Sequence, residues 1–84
     1  MLDVSGNKIT RIEGLQGLNQ LEEFWANDNQ IDTFQGMEEQ LGVKNCPNLE
    51  TVYLEGNPVQ RSEGAAYRRK IILTLPQISQ IDAT

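Results

Sequence analysis

Twelve carboxylates, one cysteine and no histidine set what this 84-residue chain could do chemically. The commonest general base and metal ligand is missing. Glu22, Glu23, Glu38, Glu39 and Glu50 could suggest paired carboxylates for acid–base work or a cation site. No ordered ligand spacing, Gly-rich phosphate loop or G-x-S-x-G elbow accompanies them. They read as a solvated acidic face. Cys46 has no partner for an internal disulfide, and ahead of Pro47 it is expected to serve packing. Arg68, Arg69 and Lys70 form a basic run, expected on a solvated helix face whose last turn favours cations. Tyr67 reads as a core residue rather than a modification site. An esterase or phosphatase therefore lacks its parts. The sequence predicts no catalytic residue, metal, cofactor or small-molecule substrate.

Charge points to another class of function. The net charge is −5. Residues 1–60 carry ten acids against three bases, Lys8, Arg11 and Lys44, while four bases follow residue 60. An acidic body repels phosphate backbones, so nucleic acid is not expected as a partner and a basic protein surface is. No apolar run approaches the roughly 20 residues of a membrane span, and no membrane partner is expected.

The elements that would present such a surface show in a repeat. Leu21-Glu22-Glu23-Phe24-Trp25-Ala26-Asn27-Asp28-Asn29-Gln30-Ile31 aligns with Leu49-Glu50-Thr51-Val52-Tyr53-Leu54-Glu55-Gly56-Asn57-Pro58-Val59. Both fit L-x-x-L-x-L-x-x-N-x-L, the leucine-rich-repeat core. Leu2, Val4, Asn7 and Ile9 fit the same frame from its second anchor onward. Each x-L-x-L stretch predicts a short strand, stacked parallel on its neighbours. Side chains alternate across a strand, so Leu2 and Val4, Phe24 and Ala26, and Val52 and Leu54 should point inward. Asn7, Asn29 and Asn57 fall where the chain leaves each strand. A buried asparagine there can bond backbone groups that no strand partner reaches.

Spacing adds detail. Asn7 to Asn29 is 22 residues, and Asn29 to Asn57 is 28. In the first return arm, Ile12, Leu15 and Leu18 recur at three-residue steps, which predicts a tight 3₁₀-like turn. In the second, residues 36–41 predict a short helix with Met37 and Leu41 on one face and Gly42 ending it. After Val59, Ser62 is expected to N-cap a helix whose Tyr67, Ile71 and Leu75 share one face and which Pro76 stops. The expected architecture is an α/β solenoid, part of a leucine-rich-repeat horseshoe. Short parallel strands would line its concave face, with 3₁₀ or helical arms on the convex side. Repeats would occupy residues 1–59, with a partial first one, and a C-terminal cap helix would lie within 60–84. A chain that opens inside a repeat is expected to be the C-terminal portion of a longer array.

A resemblance sharpens this. Residues 67–76, Tyr-Arg-Arg-Lys-Ile-Ile-Leu-Thr-Leu-Pro, followed by Ile81-Asp82, resemble the cap motif shared by phosphatase regulators, the spliceosomal A-prime protein and acidic nuclear phosphoproteins. Residues 21–29, residues 80–84, Ile12-Glu13-Gly14-Leu15 and the 22-residue step together resemble the protein phosphatase 1 regulatory subunit 7 family. That resemblance implies a noncatalytic regulator, nuclear and cytoplasmic, that binds the phosphatase catalytic subunit through its concave face. It implies contacts at acidic and aromatic strand positions, here Asp3, Glu23, Trp25 and Tyr53. Another repeat adaptor, spliceosomal A-prime-like or dynein light-chain-like, is the alternative.

The residues point to the same positions separately. Strand residues beside the inward anchors face solvent. Asp3, Trp25 and Tyr53 each stand four before the repeat asparagine, so they should form a row across neighbouring strands. An outward tryptophan exposes apolar area that a partner could cover. The competing reading is that Trp25 simply packs across strands on Tyr53.

Overall fold

The computed structural model describes residues 1–15 and 17–83. Four strands form one parallel sheet: β1 (Leu2–Asp3), β2 (Glu23–Trp25), β3 (Thr51–Tyr53) and β4 (Gln80–Ile81). They pair in chain order, with Leu2 opposite Phe24, Phe24 opposite Val52 and Val52 opposite Ile81. The ladder runs past the strand ends: the N–H groups of Val4 and Ala26 donate to the carbonyls of Trp25 and Tyr53, both at 2.8 Å. The first three strands lie where the repeat pattern puts them. The fourth was not expected, although Gln80-Ile81-Asp82 repeats the polar–apolar–polar order of Thr51-Val52-Tyr53.

The inward anchors build the core. Phe24, Ala26, Ile31, Leu49, Val52, Leu54 and Val59 are buried. Each large one contributes roughly 1.5–3 kcal/mol by leaving water. At the β1 edge Leu2, Val4 and Ile9 are only partly buried, packed on the core from one side.

Side-chain acceptors then join layer to layer. The Asn29 carboxamide oxygen accepts the N–H groups of Asn7 and Ile9, at 3.0 and 3.1 Å. The Asn57 oxygen accepts those of Asn29 and Ile31, at 3.2 and 3.1 Å. Each amide nitrogen donates to carbonyls of the turn: Asn29 to Val4 and Ala26, and Asn57 to Ala26 and Leu54. Asn29 and Asn57 are buried as expected, whereas Asn7 is exposed. It stands in the bend after the edge strand β1, where no earlier layer in this chain uses its oxygen. For β3 the acceptor is a carboxylate: Asp82 Oδ1 takes the N–H groups of Leu54 (2.8 Å) and Glu55 (3.0 Å).

The return arms differ from expectation in part. Helix α1 (Met37–Leu41) buries Met37 and Leu41 on one face, as predicted. Gly42 ends it by close approach rather than by a left-handed turn: its φ is −64°, and a methyl group there would collide with the Glu38 carbonyl oxygen. The first arm forms no 3₁₀ helix among its described residues, although an i→i+3 bond from the Leu21 N–H to the Leu18 carbonyl closes its end at 3.1 Å. Its backbone instead bonds sideways to the second arm. The Leu15 N–H donates to Gln40 Oε1 (2.7 Å), and the Leu15 carbonyl accepts from Asn45 Nδ2 (2.8 Å). Those bonds occupy the groups a tight turn would use. Ile12 is buried, with Leu15 and Leu18 partly so.

The chain after β3 folds as helix α2 (Pro58–Glu63), a 3₁₀ turn (Gly64–Ala66) and helix α3 (Tyr67–Thr74). Ser62 does not cap a helix. It lies inside α2, and its hydroxyl donates back to the Val59 carbonyl. The helix starts at Pro58, whose fixed φ and missing N–H suit a first turn. Tyr67, Ile71 and Leu75 are buried along one face, as their spacing predicted. The basic run lies in the first turn of α3, not the last. Arg68 donates to the Ile81 carbonyl at 3.2 Å, and Lys70 pairs with Glu63 at 2.6 Å. The Tyr67 hydroxyl donates to Asp82 Oδ2 at 2.9 Å, linking α3 to the end of β4.

Two outcomes follow. Asn57→Ala strands the N–H groups of Asn29 and Ile31 and the Leu54 carbonyl in the interior, and should cost roughly 2–4 kcal/mol in denaturant melts, while exposed Asn7→Ala should stay within about 0.5 kcal/mol. Burial first, and the Asp82 charge second, push the Tyr67 phenol well above its ordinary value of 10.0. The folded state therefore holds that proton more tightly than the unfolded chain, so its stabilisation is full below pH 10 and declines as pH rises beyond it. In melts between pH 8 and pH 11, Tyr67→Phe should lower stability at pH 8 by about 1–3 kcal/mol and flatten the alkaline decline.

Candidate functional site

With the anchors of β1–β3 turned inward, the alternate residues stand on the solvent side of the sheet. Glu23, Trp25, Thr51 and Tyr53 are each half-buried and flank the buried Phe24 and Val52. Strand register sets Asp3 opposite Trp25 and Trp25 opposite Tyr53. The expected row of three is therefore present in the backbone. A second row carries Glu23, Thr51 and Gln80.

The aromatic pair is in direct contact. The Trp25 and Tyr53 rings stack with centroids 4.7 Å apart and planes 29° from parallel. This is the cross-strand packing that competed with the partner-contact reading, and both rings remain partly exposed. Glu23 is drawn into the same group, since Trp25 Nε1 donates to Glu23 Oε1 at 3.1 Å. Two outward neighbours on one strand thus share a hydrogen bond as well as a face.

Asp3 stands at the exposed edge of the row. The Ser5 N–H donates to its Oδ1 at 2.9 Å. That bond, first among the causes, holds the Asp3 carboxyl below the usual carboxylate range. Asp3 is therefore ionised at neutral pH. The Ser5 hydroxyl donates to Asn27 Oδ1 at 2.5 Å, tying the segment after β1 to the segment after β2.

Sequence reasoning missed Gln80, because β4 was not expected. Its Nε2 donates to the Tyr53 hydroxyl (3.3 Å) and to the Asp82 carbonyl (3.0 Å). The row of outward polar residues at 23 and 51 could have flagged it, since residue 80 stands one before an apolar anchor as they do. The four expected residues make one surface: a stacked aromatic pair with carboxylates from Asp3 and Glu23 beside it. Among the described residues no group of three or more acidic, histidine or cysteine side chains could hold a metal ion. Among the same residues no helix is long and apolar enough to cross a membrane.

Several relatives of this chain are named as regulatory subunits of one phosphatase. Over 71 residues it is 52% identical to the protein phosphatase 1 regulatory subunit SDS22 of Schizosaccharomyces pombe, covering 83% of this chain and 20% of that protein. Over 77 residues it is 40% identical to the protein phosphatase 1 regulatory subunit pprA of Dictyostelium discoideum, covering 92% and 21%. Over 54 residues it is 51% identical to protein phosphatase 1 regulatory subunit 7 of Xenopus tropicalis, covering 64% and 14%. The chain belongs to the protein phosphatase 1 regulatory subunit 7 family. It spans about a fifth or less of the length of these family members. No family model matches it. Among solved structures it resembles the Drosophila melanogaster SNF/U2A' complex, with a TM-score of 0.59 and 21% identity over 98% of this chain and 58% of that one. At that identity the likeness is one of fold: a leucine-rich-repeat neighbour with the same parallel-strand architecture.

The outward stack has a consequence for stability. Trp25→Ala removes half-exposed contact area, while Leu54→Ala empties a fully buried site. Leu54→Ala should cost roughly 2–5 kcal/mol, and Trp25→Ala about 1 kcal/mol from the lost aromatic pair. Urea melts of the two variants measure the difference, and near-ultraviolet circular dichroism should report loss of the stack in Trp25→Ala alone.

Proposed function

We propose that this chain is part of a noncatalytic regulatory subunit that binds the protein phosphatase 1 catalytic subunit through the solvent side of its strands. Family membership supports the partner, because the relatives are named as regulatory subunits of that phosphatase. The observation that carries the surface is the row of Asp3, Trp25 and Tyr53 beside Glu23, on rigid strands rather than loops. Tryptophan and tyrosine are the side chains that most often anchor interfaces. The carboxylates at 3 and 23 would steer a basic patch of the partner toward them.

In this reading the sheet side is the concave face of a repeat array. Residues 1–59 are its repeats, with their return arms on the convex side. Residues 60–84 are a terminal cap whose α3 covers the last core layer. The burial of Tyr67, Ile71 and Leu75, and the Tyr67–Asp82 bond, support that role. A noncatalytic role accords with the absence of histidine and of any nucleophile–base pair in the sequence. Action in nucleus and cytoplasm belongs to the same proposal. An adaptor role in another complex has only likeness of fold behind it.

In the full-length protein, Trp25→Ala should weaken binding to the purified phosphatase catalytic subunit by about 2 kcal/mol or more, roughly thirtyfold. Glu23→Lys should slow association at low salt, and the difference should shrink as salt rises, because screening removes steering. Surface plasmon resonance at two ionic strengths checks both. Unchanged kinetics in both folded variants would remove the sheet surface from the mechanism.

A further inference from the structure

Four large apolar side chains stand exposed among the described residues: Met1 (70%), Val43 (52%), Ile72 (51%) and Leu73 (73%). Two of them, from separate segments, converge. Val43 follows α1 and Leu73 lies near the end of α3, yet both line one cleft of about 480 Å³ with Pro76. Glu38 and Glu39 line the same cleft, against the single cation Lys44. On its other side Leu73 borders a second cleft, of about 390 Å³, lined also by Phe34, Asp32, Glu63 and Lys70. The Lys70 ammonium there is engaged by Glu63 at 2.6 Å. Among the described residues, Asp32, Glu38 and Glu39 enter no ion pair.

Leu73 is thus an apolar ridge between two clefts, and the unpaired charge lining them, Asp32, Glu38 and Glu39 against Lys44, is acidic on balance. The fold does not need it there. The buried face of α3 is supplied by Tyr67 and Ile71, with Leu75 beyond its end. No strand residue lines either cleft, so this surface is separate from Trp25 and Tyr53. Apolar side chains bordered by a net charge of one sign suit a segment that carries the opposite sign around its own apolar anchors.

We propose that the α1–α3 cleft docks a basic segment of a partner protein that inserts large apolar side chains beside Leu73 and Val43. The carboxylates of Glu38, Glu39 and Asp32 face its Lys and Arg side chains. This surface acts independently of the sheet face, so one array could hold two partners at once.

The probe is a synthetic helical peptide of leucine and lysine only, titrated into the isotope-labelled 84-residue chain and followed by amide chemical shifts. The expected perturbations fall on residues 38–44 and 70–76. Leu73→Ser should weaken binding about tenfold, as loss of an anchor does. Joint Glu38→Gln and Glu39→Gln should weaken it and reduce its salt dependence. Trp25→Ala should leave it unchanged. All these positions are partly or fully exposed, and the unbound spectra verify that each variant is folded. Four results would overturn the proposal: perturbations centred on residues 23–27 and 51–55, equal binding of a leucine–glutamate peptide, concentration-dependent dimerisation through Leu73 in place of peptide binding, or a response only to lipid vesicles.

Discussion

The structure depends on how each layer satisfies the backbone of the layer before it. A strand of two or three residues makes few ladder bonds, and the chain must then turn away with its N–H groups unpaired. Asn29, Asn57 and Asp82 resolve this by placing one oxygen between two such groups of the preceding layer. The geometry fixes both the spacing of the layers and the direction in which the chain leaves the sheet. The apolar anchors drive collapse, but they are interchangeable to a degree. A buried oxygen that must meet two N–H groups is not.

The sheet surface follows from that constraint. With layers held in register, the residues four before Asn7, Asn29 and Asn57 must lie side by side. Trp25 and Tyr53 stack because of this, and Glu23 and Asp3 sit beside them for the same reason. A face built this way is preorganised for the proposed contact: its rings have little freedom left to lose on association. The competition between internal stacking and partner contact is therefore less sharp than the sequence suggested. The stack orders the rings, and their uncovered sides remain for a partner.

Much of this could be read from the residue order, and the failures have physical causes. Phe24, Val52 and Leu54 announced the strands because an inward anchor at every second position is a strong pattern. Tyr67, Ile71 and Leu75 announced the buried face of α3 through their four-residue step. The strand β4 was missed because two residues carry no period, and only Ile81 of the pair is apolar. Ser62 looked like a cap because helix starts favour serine, yet Pro58 had already opened α2 at the turn that Asn57 holds. The first arm was misjudged because the partners of Leu15, Gln40 and Asn45, lie 25 and 30 residues away. The Trp25–Tyr53 contact was foreseen as an alternative, but the Glu23 bond to the indole was not, since spacing alone does not fix rotamers.

Amide hydrogen exchange tests the interlayer ladder most directly. If the side-chain oxygens hold the layers, the N–H groups of Asn29, Ile31 and Leu54 exchange only through opening as costly as that of the central β2 and β3 amides, while those of Asn7 and Ile9 at the sheet edge exchange faster. Exchange at Asn29, Ile31 and Leu54 as fast as in the exposed turns, with the strand amides still protected, would show that the strands and core hold the layers without the ladder.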